Sequence, residues 1–144
     1  MIRFPILALT VLLCIASLSC QSYSTGLQQS VSRADEGAAT GALRTIELAQ
    51  QTYAASHEGD YGTFPQLADA GYLDERFKSN QPTVKDYVLT MEVGKRSDGP
   101  YYSCRADPVN AGDRNGRHFY IDGTKILRFN STQPATASDP AYQP

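Results

Sequence analysis

Between Ala34 and Tyr53 the apolar residues Ala38, Ala39, Ala42, Leu43, Ile46, Ala49 and Tyr53 recur at spacings of three and four. That period is the α-helical one and gathers them on one face. Arg44, Glu47, Gln50 and Gln51 largely occupy the other side. Ser32-Arg33-Ala34-Asp35 has the form of a capping-box start, and Asp35 and Glu36 fall in the first turn, where the helix dipole favours carboxylates. The pattern predicts a helix from near Arg33 to near Ser56, about 36 Å long at ~1.5 Å per residue. A rod of this length must bury its stripe against a second layer, and its alanines let that layer approach closely.

The second layer is written downstream. Gly59 and Gly62 interrupt the helical pattern, and Phe64–Leu73 reads as a short helical turn ended by Gly71. Asp74–Thr83 reads as polar connection. Four strands are expected after it: Tyr87–Val93, Tyr101–Ala106, His118–Ile121 and Lys125–Phe129. Arg96-Ser97-Asp98-Gly99-Pro100 supplies the first turn, and Asp122-Gly123 is a hairpin signal joining the last two strands. Hairpin-linked strands make an antiparallel sheet with one face free to cover a helix. The expected fold class is therefore α+β, a long N-terminal helix packed on a four-stranded antiparallel sheet. Along the third strand, Phe119 and Ile121 share a face while Tyr120 points oppositely.

This arrangement over Ala34–Asn130 resembles the globular part of type IV pilins and type II secretion pseudopilins. The wording of the helix is similar in Ala42-Leu43-Arg44-Thr45-Ile46, Ala49-Gln50 and Thr52-Tyr53. In the sheet, the similar stretches are Ala106-Asp107-Pro108-Val109, Arg117–Asp122 and Ile126–Asn130. The resemblance implies a pilin-like domain with a structural or interaction role among envelope or pilus-type proteins. The N-terminus departs from the family, whose apolar assembly helix opens on a Gly-Phe-Thr-Leu-x-Glu type sequence. No Gly precedes Phe4, and no Glu occurs before Arg33.

Met1–Cys20 instead reads as an export leader. Arg3 precedes the uncharged, largely apolar run Ile6–Leu18, and small residues follow at Ser17 and Ser19. The apolar run is shorter than the roughly 20 residues a spanning helix needs. Ala16-Ser17-Leu18-Ser19-Cys20 resembles a bacterial lipobox with Ser17 where Leu is usual, which makes Cys20 the candidate lipid-attachment residue and the membrane a partner through that lipid. Ordinary cleavage after Ser19 is the alternative. The domain reading is a leader over 1–20, a flexible Ser/Gln-rich tether over 21–32, the α+β domain over 33–130 and an extended or disordered tail over 131–144. The expected location is the cell envelope, as an anchored lipoprotein or a periplasmic or secreted protein.

Charge and chemistry narrow the function further. Lys and Arg number 13 against 15 Asp and Glu, without the basic face of a nucleic-acid binder. Cys14 lies in the leader, which leaves Cys20 and Cys104; Cys104 reads as a buried thiol, or as a partner for Cys20 if that residue is neither lipidated nor removed. His57 falls at the expected helix end, where an imidazole caps, and His118 opens a strand as a structural histidine. No G-x-S-x-G, H-E-x-x-H or paired C-x-x-C sequence occurs, so no catalytic residue is assigned and a small envelope hydrolase is the least favoured alternative. The candidate metal ligands are Asp107, Asn110, Asp113 and Asn115, oxygen donors in one Gly-containing loop that could take calcium. A ligand- or calcium-binding lipoprotein is accordingly the alternative to a non-enzymatic structural or interaction protein. No cofactor is otherwise expected.

Overall fold

The computed structural model describes residues 32–110 and 116–144. Ala34–Pro144 forms one compact unit. Helix α1 covers 32–56. Its buried side chains are Glu36, Ala39, Leu43, Ile46, Ala49, Gln50 and Tyr53. Leu43 and Ile46 are fully enclosed, which is worth about 1.5–3 kcal/mol of transfer free energy for each side chain. Ala38 and Ala42 lie at the margin of the stripe, only partly buried. Gln50, which the periodicity assigns to the polar side, is instead fully buried.

The chain leaves α1 through Gly59 and reaches Gly62, where the backbone passes so close to Tyr53 and Leu67 that an added Cβ would stand 3.2 Å from both. Thr63 then caps α2 (Phe64–Asp69) reciprocally with Gln66. Gly71, at φ 79°, turns the chain, and the Tyr72 N–H closes the helix end by donating to the Leu67 carbonyl at 2.9 Å. A 3-10 turn over Glu75–Lys78, capped by Asp74, carries Phe77 into the core.

Five strands follow: β1 (Thr83–Val84), β2 (Tyr87–Arg96), β3 (Gly99–Pro108), β4 (His118–Asp122) and β5 (Arg128–Asn130). They lie in sequence order, each antiparallel to the next. The sheet is thus one strand larger than the expected four. The extra strand, β1, begins inside the stretch read as polar connection, and two residues are too few to show alternation. β2 and β3 pair from Tyr87↔Pro108 to Arg96↔Gly99, so Ser97 and Asp98 make the turn. The second hairpin is looser than its Asp-Gly signal suggests. Asp122-Gly123 opens a longer loop in which the Lys125 N–H donates to the Asp122 carbonyl, and the last strand shrinks to Arg128–Asn130.

The inner face of the sheet carries Tyr87, Leu89, Cys104, Ala106, Phe119 and Ile121, all buried with the stripe of α1 in one core, and Tyr102 is buried further along the same face. Tyr120 lies half-buried on the opposite face, as the alternation requires. The Tyr87 and Tyr102 hydroxyls donate to the carbonyls of Arg117 and Asp122 at 3.0 and 3.1 Å. Burial raises both phenols well above their usual range.

The tail belongs to the same compact unit as the sheet. The Tyr142 N–H donates to the Leu127 carbonyl at 2.8 Å, and the Phe129 N–H donates to that of Pro140 at 3.2 Å. Asp139 accepts from the Asn130 amide and from the Thr136 N–H and hydroxyl. Ala135 is fully buried. An end at Asn130 would therefore omit residues that pack on β5.

Candidate functional site

Cys20 lies outside the described residues, as do Asp113 and Asn115 of the candidate calcium loop. Of the remaining two donors, Asn110 is exposed. Asp107 sits at the end of β3 with Oδ1 2.6 Å from His118 Nδ1 and Oδ2 3.9 Å from Arg105 Nε. One oxygen of the candidate ligand is thus already engaged, and His118 is held as a cross-strand partner. Among the described residues, no group of three or more His, Cys, Asp or Glu converges to hold a metal ion.

The other titratable candidates are also committed locally. His57 Nδ1 lies 2.8 Å from the Tyr53 carbonyl at the end of α1, and its ring stacks on Tyr53 with centroids 3.7 Å apart. This is the capping position expected from the sequence. Cys104 is fully buried, and that burial pushes its thiol far above the ordinary range, which keeps it protonated.

A cluster that the sequence reading did not assemble joins the start of α1 to β4. Glu36 is buried and receives Arg117 through Nε at 3.2 and 3.1 Å, Nη2 at 2.6 Å and the backbone N–H at 3.3 Å. Hydrogen bonding to Glu36 is the main reason the Arg117 guanidinium binds its proton more firmly than usual. The guanidinium also lies 5.9, 5.6 and 5.0 Å from the ring centres of Phe119, Phe129 and Tyr142. The N-terminal part of α1, two strands and the tail therefore meet on one cation.

A concavity with an apolar floor runs beside α1. It measures about 370 Å³ and is lined by Ala38 and Ala42 of the helix, Leu73 and Phe77 of the connection, and Val84 and Lys85 at β1. Arg76 stands at its rim, tied to Asp74 at 2.7 Å and 6.0 Å from the Phe77 ring centre. Two other concavities lie near Met91 and Tyr101 and beside His57. Among the described residues, no helix is long and apolar enough to cross a membrane.

No protein-family model, curated protein or solved structure matches this chain.

Proposed function

We propose that this chain is a non-enzymatic exported protein of the cell envelope, with a pilin-like domain in a structural or interaction role. The observation that carries the proposal is the placement of α1. One long helix lies on an antiparallel meander, and among the described residues its outer side stays uncovered, with Leu48 63% exposed. Gly37 and Gly41 on the same helix have nothing within 4 Å of an added Cβ, so a partner backbone could come close. We place the partner contact on this side, at Leu48 and the accessible backbone of Gly37 and Gly41. The leader-like Met1–Cys20 supports the envelope location. The local hydrogen bonds of His57 and His118 support a structural use for both imidazoles.

A photocrosslinking residue at Leu48, introduced in the producing cells, tests this reading. Adducts with membrane-associated assembly or secretion components at Leu48, and none from the exposed Glu75, are expected. Equal labelling from both positions, or none from either, would contradict it.

A further inference from the structure

We propose that the groove between α1, the Glu75–Lys78 turn and β1 binds a single-chain amphiphile with an anionic head. This site is distinct from the Asp107 loop and does not depend on a pilin-like role.

The floor comes from a mismatch between the helix and its cover. Ala38 and Ala42 belong to the apolar stripe, yet both are only partly buried, because the connection and β1 stop short of them. Leu73, Phe77 and Val84 supply the facing wall. At about 370 Å³ the space falls within the roughly 300–1,000 Å³ typical of small-molecule sites. A hydrocarbon chain laid there would remove apolar surface from water on both sides.

The head-group preference follows from the rim. Arg76 is already neutralised by Asp74 and leans over Phe77. Lys85 is exposed and has no ion pair among the described residues, so of the charged residues lining the groove it alone is uncompensated, with the exposed Asp86 next to it in the turn but outside the lining. Its backbone also makes the position open to test. Val84 pairs with Tyr87, which leaves Lys85 and Asp86 as the turn, and Lys85 sits at φ 52°. Glycine occupies that region with less strain than any residue with a side chain. An anionic head on an apolar chain satisfies both floor and rim; a cationic head leaves Lys85 repelled.

Calorimetric titration of the full chain tests this, with decanoate kept below micelle formation as the probe. Decyltrimethylammonium and acetate serve as opposite-head and head-only controls. Saturable 1:1 binding of decanoate is expected, about fivefold or more tighter than decyltrimethylammonium, the scale of one exposed ion pair. Acetate should give no saturable heat. Lys85→Gly should weaken decanoate binding about fivefold by losing the pair, while leaving the melting temperature equal or higher because the turn is relieved. Ala42→Phe should fill the floor and abolish binding, and Ala38→Leu provides a milder block whose folding is checked by circular dichroism. Absence of saturable decanoate binding, equal affinity for the two decyl probes, or unchanged affinity in Lys85→Gly would each overturn the proposal.

Discussion

Glu36 and Gln50 occupy opposite ends of the same buried stripe of α1, and they satisfy burial in different ways. Gln50 is fully enclosed and stays neutral. Its amide donates to the Gly62 carbonyl at 2.6 Å and to Met91 sulfur at 3.2 Å, while its oxygen accepts from the Gly62 N–H at 2.9 Å. Glu36 carries a charge to the periphery, where its partner Arg117 keeps 34% of its side chain exposed. An ion in the position of Gln50 would lose its hydration with no counter-charge beside it, whereas an amide there needs only the hydrogen bonds that Gly62 supplies. The difference teaches how the connection and the sheet are fixed to one helix: a neutral clamp to Gly62 in the dry centre, and an ionic clamp to β4 where water still reaches.

Breaking the neutral clamp should cost most. Gln50→Leu keeps much of the volume but strands both backbone groups of Gly62, and should lower unfolding free energy by about 2–4 kcal/mol in denaturant titration. A loss below that of a surface substitution would mean that water replaces the amide. Glu36→Ala should cost less, about 1–3 kcal/mol, because solvent screens the half-open partner. A cycle with Arg117→Ala should return a coupling energy near that value; additive losses would reduce the pair to a bystander. Tyr142→Ala removes one of the three rings around Arg117, and should cost about 1–2 kcal/mol.

The smallest effect is a pH dependence at the edge of the ionic clamp. Hydrogen bonds from Asn130 first, then from Thr136, hold the Asp139 carboxyl below its ordinary value of 3.8. Its folded form therefore loses its proton more readily than its unfolded form. The stabilisation is complete above the ordinary value and is lost as pH falls through the lower, folded one. Proteolysis of the tail by an acid-active protease should accelerate in that window and not at neutral pH. Asp139→Asn should flatten the profile.

The fold was largely legible because its strongest signals are periodic. Ala39, Leu43, Ile46 and Tyr53 mark the buried face of α1, and the Phe119, Tyr120 and Ile121 alternation marks that of β4. What escaped has no periodic form. β1 is too short to alternate, and the Asp122-Gly123 dipeptide opens a loop whose length depends on where Leu127 is buried. Glu36 reads as a first-turn carboxylate, since the arginine that buries it is 81 residues away. Gln50 reads as polar because its partner is the backbone of a glycine, which no side-chain pattern announces. Ser, Pro and Ala dominate the tail, and its attachment rests on Tyr142, Ala135 and Asp139. The groove was unseen for a similar reason. Its floor is a piece of the helical stripe that the periodicity counts as core, and only the end of β1 leaves it open.

Mass measurement of the mature N-terminus, on protein recovered from separated envelope and cytosolic fractions, tests the envelope proposal most directly. A chain beginning at Cys20 and carrying a diacylglyceryl group is the expected result. An unmodified chain that retains Met1 and remains in the cytosolic fraction would contradict it.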